Sequence, residues 1–243
     1  MTDKILSVQE YVAMQPTLAR RRNFMRAAMR GGFKLFTSIN VTGTENIPAS
    51  GGTIVMMNHI SLLDPLLCMV VVKERFVVPM TKVENMGNPL FAPFIRWWGS
   101  YSVQRGEVDR TALTNSIELI KSGALILIAP EGTRQKDGLS QPKDGMTYIA
   151  TKADAIILPT AISGAKDWQD NLMHLKRTQI NVNFGRPFKF KTDGKPRVPR
   201  EVLAQMTDEA MYQLAAAVKD ESMRGLYSDL NKATTQYLEF VNI

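Results

Sequence analysis

A chain of 243 residues, 44% hydrophobic and 22% charged, has enough apolar surface for one large folded domain and is too apolar for a disordered tract. Its single cysteine, Cys68, excludes an intramolecular disulfide and a cysteine-rich zinc site, and its place in the apolar run 66–70 marks it as a buried small residue. The formal net charge of +7 favours an anionic partner: acidic lipid, nucleic acid or a phosphorylated ligand.

Residues 17–36 carry the first helical pattern. On a 100° wheel Leu18, Met25, Met29, Phe33 and Phe36 share one face, broadened by Phe24, Ala28 and Leu35. Arg26, Arg30 and Lys34 form a stripe beside it, within a basic cluster that also holds Lys4, Arg20, Arg21 and Arg22. An arginine-rich amphipathic helix of this kind suits an anionic membrane interface; the alternative is a surface helix packed on its own domain. No apolar run approaches the roughly 18 residues of a transmembrane span, and the N-terminus has no secretory layout. The expected place is the cytoplasmic face of a membrane, peripheral or monotopic.

Beyond residue 38 the pattern alternates. Short β-rich runs fall at 39–44, 53–57, 75–79, 100–103, 124–129, 155–163 and 178–184. Helical patterns separate several of them, most clearly at 109–122, with Asp109 as N-cap and Gly123 as stop. This alternation predicts an α/β fold: a largely parallel, mixed central sheet flanked by helices. Residues 199–240 read as two helices with no strand. The expected organisation is an N-terminal amphipathic helical extension at 1–37, an α/β catalytic domain at 38–198, and a C-terminal helical extension at 199–243 packed on the same domain. A second basic cluster lies at Arg186, Lys189, Lys191, Lys195, Arg197 and Arg200.

The chemistry concentrates after the strand runs, where open α/β sheets bind ligands. Asn58-His59-Ile60-Ser61-Leu62-Leu63-Asp64 follows the apolar run 53–57. Histidine moves protons near neutral pH, and a carboxylate partner fixes its tautomer and raises its basicity. Asp64-Pro65 also reads as an N-cap followed by a first helical residue. That leaves His59 to Asp64 mostly in a loop that can fold the two side chains together. Regular helix would set them about 140° apart.

Three further clusters are Gly99 to Arg105, Ala129-Pro130-Glu131-Gly132-Thr133-Arg134, and Ile157-Leu158-Pro159-Thr160. Arg105 and Arg134 could clamp a phosphate. Gly132 permits close backbone approach, and Thr133 adds a donor. Each cluster also has a structural reading: arginines paired with surface acids, Pro130 and Gly132 shaping a turn. No Gly-x-Ser-x-Gly elbow, Walker loop or metal-ligand spacing is present, so no serine nucleophile and no metal are nominated.

These blocks resemble the glycerolipid acyltransferases, especially the bacterial 1-acylglycerol-3-phosphate acyltransferases. Asn58-His59 to Asp64 matches Asn-His-x4-Asp, Gly99 to Arg105 matches Gly-x-x-x-Val-x-Arg, and Glu131 to Arg134 is an intact Glu-Gly-Thr-Arg. The proline-ended strand Ile157-Leu158-Pro159 is the fourth block. Lys82 matches a lysine before the second block, and Lys143-Asp144-Gly145 a Lys-x-Gly after the third. Ala129-Pro130 replaces the usual Phe-Pro, and Tyr101-Ser102 interrupt the second block.

The resemblance implies a fatty acyl transfer from acyl-CoA or an acyl-carrier protein to the hydroxyl of a lysophospholipid, with the donor as substrate and no separate cofactor. It implies His59 as general base, oriented by Asp64. Asn58, Lys82, Arg105, Glu131, Gly132, Thr133 and Arg134 are then the substrate-binding residues, with Glu131 on an arginine or a glycerol hydroxyl rather than on phosphate. Other acceptors (glycerol 3-phosphate, another lysophospholipid, an aminolipid), a thioesterase, and a non-catalytic basic membrane protein remain open alternatives. Nucleic acid is not expected, since no basic stripe is interleaved with stacking aromatics.

Overall fold

The structure, a computed structural model, describes residues 8–89, 91–103, 109–194 and 197–243. Arg105, Lys4 and Lys195 lie outside the described residues. In chain order the first elements are α1 (Val8–Met14), α2 (Ala19–Phe36), β1 (Thr37–Thr42), β2 (Thr53–Met57) and α3 (Asp64–Val71). Next come β3 (Val77–Lys82), α4 (Val83–Gly87), α5 (Ala92–Trp98), β4 (Tyr101–Val103), α6 (Arg110–Lys121) and β5 (Leu125–Ile128). Then follow α7 (Gly145–Ala153), β6 (Ile156–Ser163), α8 (Trp168–Met173), β7 (Thr178–Phe184), β8 (Phe188–Phe190), α9 (Arg200–Ala217) and β9 (Leu238–Phe240).

Every residue of β2 is buried, as a strand covered on both faces requires. Its parallel neighbours are β5 and β6, and β3 and β4 extend the parallel set beyond β5. The path through the sheet is β1-β7-β6-β2-β5-β3-β4. β7 runs antiparallel to β6 and parallel to β1, so β1 and β7 begin at the sheet end where β2 and β6 finish. The sheet is therefore mixed and largely parallel, with helices on both faces. Side chains alternate between two cores with the period of a strand. Ile54, Met56, Ile126 and Ile128 join one, under α6, α7 and α9. Val55, Met57, Leu125 and Leu127 join the other, with α2 and α3.

The C-terminal segment departs from the two helices predicted. Only α9 is an α-helix; two 3-10 turns follow, Glu221–Tyr227 and Leu230–Lys232, and then β9, antiparallel to β8. The cause is a tertiary contact. The buried carboxylate of Glu209 on α9 accepts from the amides of Gln236 and Tyr237 and from the Thr234 hydroxyl. That turns the tail back onto the sheet, where Phe240 meets Phe188 edge to face.

α2 also differs from its wheel. The face of Met25, Met29 and Phe33 packs on the domain, and the arginines beside it are tethers. Arg22 is buried, donating from Nε to the Trp98 carbonyl at 2.7 Å, and burial pulls its guanidinium down to about 10. Arg26 donates to the carbonyls of Lys73 and Arg75 at 2.7 and 2.6 Å and lies over the Phe76 ring. The outward stripe instead shows Phe24 (67% exposed) and Leu35 (66%), with Arg20, Arg21 and Lys34 exposed beside it. No described helix is long and apolar enough to cross a membrane.

Candidate active site

β2 ends at Met57, and the next residues turn out of the sheet. Asn58 is buried and grips β6 with both ends of its amide: Nδ2 donates to the Ile162 carbonyl at 2.9 Å, and Oδ1 accepts from the Ile162 amide at 2.7 Å. His59 is thereby set just past the carboxyl end of the central strand. Asn58→Ala strands both Ile162 groups in a buried place and is expected to cost roughly 2–3 kcal/mol. Urea unfolding of the two proteins measures the difference.

Asp64 folds back onto His59. Its Oδ2 lies 2.8 Å from His59 Nδ1 and also accepts from the amides of Ile60 and Ser61, each at 2.7 Å. Asp64 is fully buried, and its Oδ1 makes no hydrogen bond. It is therefore not the N-cap the sequence indicated: the helix includes Asp64, Leu63 holds the cap position, and the carboxylate serves upstream amides. An ionised carboxylate only accepts, so Nδ1 carries the proton and Nε2 keeps its lone pair.

The loop after β5 braces the same turn. The Gln135 amide donates to the His59 carbonyl at 2.7 Å. Glu131 is buried; Oε1 accepts from the Ser140 amide at 2.8 Å, and Oε2 stands 3.5 Å from the His59 amide. Burial pushes the Glu131 carboxyl up, and the Ser140 and His59 amides oppose the shift. Asn58 thus spends its polar atoms on strand β6, and Glu131 spends its own on the Ser140 and His59 amides.

Thr133 and Arg134 are exposed on that loop, and Lys82 is exposed at the carboxyl end of β3, in register with Val103 of β4. Arg105, two residues past β4, lies outside the described residues. The turn before β4 is clasped by the N-terminal helices: Tyr11 donates to the Gly99 carbonyl, and Arg22 to that of Trp98. At Gly99, with φ +78, a Cβ would collide with Leu18.

His59 opens onto a cavity of about 360 Å³ between the sheet and α6 and α7. His59, Lys143, Asp109, Ser116 and the Gly132 backbone supply its polar lining; Met80, Leu113, Leu127, Met146 and Ile149 are among its apolar walls. Gly132 has φ +71, and an added Cβ would press on the Lys143 side chain at 3.3–3.4 Å. Lys143 was not singled out as a binding residue by its sequence; its Lys-x-Gly match, just before α7, was the available signal. The apolar walls come from seven elements, β2, α3, β3, β4, α6, β5 and α7, and no local pattern marks them.

A base-bearing pocket of this shape suits transfer of an apolar acyl group. The Acyltransferase family model matches residues 38–163, just over half of the chain and the whole of this site. The chain belongs to the glycerolipid acyltransferases. The acyltransferase is 25% identical over 181 residues to the 1-acyl-sn-glycerol-3-phosphate acyltransferase of Bacillus subtilis (strain 168), covering 74% of this chain and 85% of that one. It is 32% identical over 127 residues to the protein of the same name from Borreliella burgdorferi, which covers 51% of this chain and 50% of the relative. Among solved structures it resembles the 1-acyl-sn-glycerophosphate (LPA) acyltransferase PlsC of Thermotoga maritima, with a TM-score of 0.59 at 25% identity, over 89% of this chain and 80% of that one.

Proposed function

We propose that this acyltransferase moves a fatty acyl group from an acyl thioester, acyl-CoA or acyl-carrier protein, to the free hydroxyl of 1-acyl-sn-glycerol 3-phosphate, giving phosphatidic acid. The observation that carries the reading is the His59–Asp64 pair opening onto an apolar cavity, in a chain whose relatives are named for that reaction. His59 Nε2 takes the proton of the acceptor hydroxyl, and the oxygen attacks the thioester carbonyl. The carbon–sulfur bond breaks, and the leaving thiolate takes the proton from the imidazolium. Asp64 keeps Nδ1 protonated and offsets the charge that forms on the ring.

The acceptor phosphate meets the cations at this sheet end, Lys82, Lys143 and Arg134; Arg105, outside the described residues, joins them on the resemblance of its block alone. Thr133 adds a hydroxyl donor, and Gly132 leaves room for Lys143. The donor chain occupies the cavity. Leu113→Trp shortens that space and is expected to shift preference from palmitoyl-CoA toward octanoyl-CoA by about tenfold or more, the scale of a few methylene contacts. The ratio of kcat/KM for the two donors reads it out.

The membrane contact belongs to the outer edge of the apolar face of α2, since the centre of that face is packed on the domain. Phe24 and Leu35 enter the interface, and Arg20, Arg21 and Lys34 each add about 1 kcal/mol beside an anionic surface. The working place is then the cytoplasmic face of the membrane. The test of the activity is thiol release from a long-chain acyl-CoA and from acyl-carrier protein, with and without lysophosphatidic acid. Acceptor-dependent release with phosphatidic acid formed supports the reading. Release without acceptor marks a thioesterase, and turnover on glycerol 3-phosphate alone marks a different acceptor.

A further inference from the structure

Leu175 stands apart from its surroundings. It is 92% exposed and has φ +53. The other described non-glycine residues with positive φ are aspartates, Asp154 and Asp193, which tolerate that region; a leucine there is under strain. Strain of this kind persists where the surrounding fold over-determines it, and such sites are often functional. Here α8 ends two residues earlier, at Met173, and the amides of Leu175 and Lys176 bond back to the Leu172 and Asn171 carbonyls. The turn holds the leucine side chain in solvent.

It is not alone. Met173 is 75% exposed and Leu172 38%. Beside them an apolar groove of about 200 Å³ runs between α8 and the C-terminal end of α2, lined by Trp168, Leu172, Met29, Phe33, Phe36 and Leu63. Leu63 belongs to the His59–Asp64 loop, and its neighbour Leu62 is 44% exposed. The topology explains the meeting. β1 and β7 start, at Thr37 and Thr178, at the sheet end where β2 delivers His59, so the α2 terminus and the α8 turn rim that end.

The charge around the rim is basic. Lys34, Lys166, Lys176 and Arg177 stand against Asp137, Asp167 and Asp170; Lys166 faces Asp137 at 3.8 Å and Asp170 faces His174 at 3.5 Å, which leaves Lys34, Lys176 and Arg177 as the cations nearest the α2 end of the groove. Arg177 donates to the carbonyls of Lys34 and Thr37, which ties the α8 turn to the end of α2. Exposed leucine and methionine on a basic rim match an anionic bilayer, whose headgroups meet the cations while the apolar tips enter the acyl boundary.

We propose that the α8 turn, with Leu172, Met173 and Leu175, is a second membrane contact of this protein, and that it seats the His59 loop against an anionic lipid surface. This rests on the membrane reading of α2 but is separable from it. The test is sedimentation of the full-length protein with phosphatidylcholine vesicles, with and without phosphatidylglycerol. Leu175→Asn is the informative variant, because asparagine accepts the left-handed backbone and removes only the apolar tip. It is compared with Met173→Ser and with the α2 double variant Phe24→Ser, Leu35→Ser.

Leu175→Asn is expected to weaken partition to phosphatidylglycerol vesicles about tenfold, the effect of withdrawing one leucine from an apolar phase. Its melting temperature is expected to be unchanged or higher, and its turnover in detergent unchanged. Met173→Ser is expected to act in the same direction. Loss of binding in the α2 variant alone overturns the α8 proposal and leaves the α2 reading standing. Loss in the α8 variants alone does the reverse. Wild-type protein that ignores both vesicle types overturns both. So does, for α8, a self-association lost in Leu175→Asn while vesicle binding is kept.

Discussion

Replacing His59 by alanine is expected to lower kcat by about 10²–10⁴-fold, the usual contribution of a positioned general base. The protein should still fold. The His59 side chain is partly exposed, and its removal leaves Asp64 Oδ2 with the amides of Ile60 and Ser61 as donors. The buried carboxylate therefore keeps two of three partners, and the Asn58 grip on β6 does not involve the imidazole. The checks are acceptor-dependent thiol release and a thermal melt on the same preparation. Near-normal turnover by a folded variant removes His59 from the role of base.

Asp64→Asn is the sharper experiment, because the local geometry dictates how the amide must sit. The oxygen that accepts from His59, Ile60 and Ser61 faces three donors, so the asparagine carbonyl has to take that place. The NH₂ group then occupies the site of Oδ1, which is buried and makes no hydrogen bond. The His59 tautomer is preserved, and only the negative charge beside the ring is lost. The expected result is a fall in kcat of roughly 10²–10³-fold from the unsupported imidazolium. The unpartnered amide costs about 1–3 kcal/mol, against which stands relief from burying a charge. Full kcat in a folded Asp64→Asn protein sinks the assignment of Asp64 as the group supporting the charged ring.

Part of the candidate site's geometry was legible in the residues themselves. His59 and Asp64 lie a short loop apart, and Asp109 caps α6 by accepting from the Ala112 amide at 2.9 Å, as its position before an amphipathic run indicated. The apolar runs that became β2, β5 and β6 were legible because strands buried on both faces must be apolar at every position. Roles that depend on what a polar atom meets were not. Asn58 and Glu131 looked like groups for substrate; their partners, Ile162 and Ser140, are distant in sequence or across a loop. Lys143 reaches the cavity only because the loop after β5 doubles back, with its amide on the Pro130 carbonyl.

Local chemistry thus decided the elements: strand where apolar residues run unbroken, helix where they recur each turn, and the proximity of His59 and Asp64 through five residues of chain. Tertiary packing decided orientation. A wheel identifies the apolar face of α2 but is silent on whether Arg22 and Arg26 face lipid or the carbonyls of Trp98, Lys73 and Arg75. Glu209 similarly converts a helical-looking tail into a strand through three donors some 25 to 28 residues away. Both outcomes have one physical reason. A buried charge must find hydrogen-bond partners, and most of those partners are backbone groups whose positions no side-chain pattern encodes.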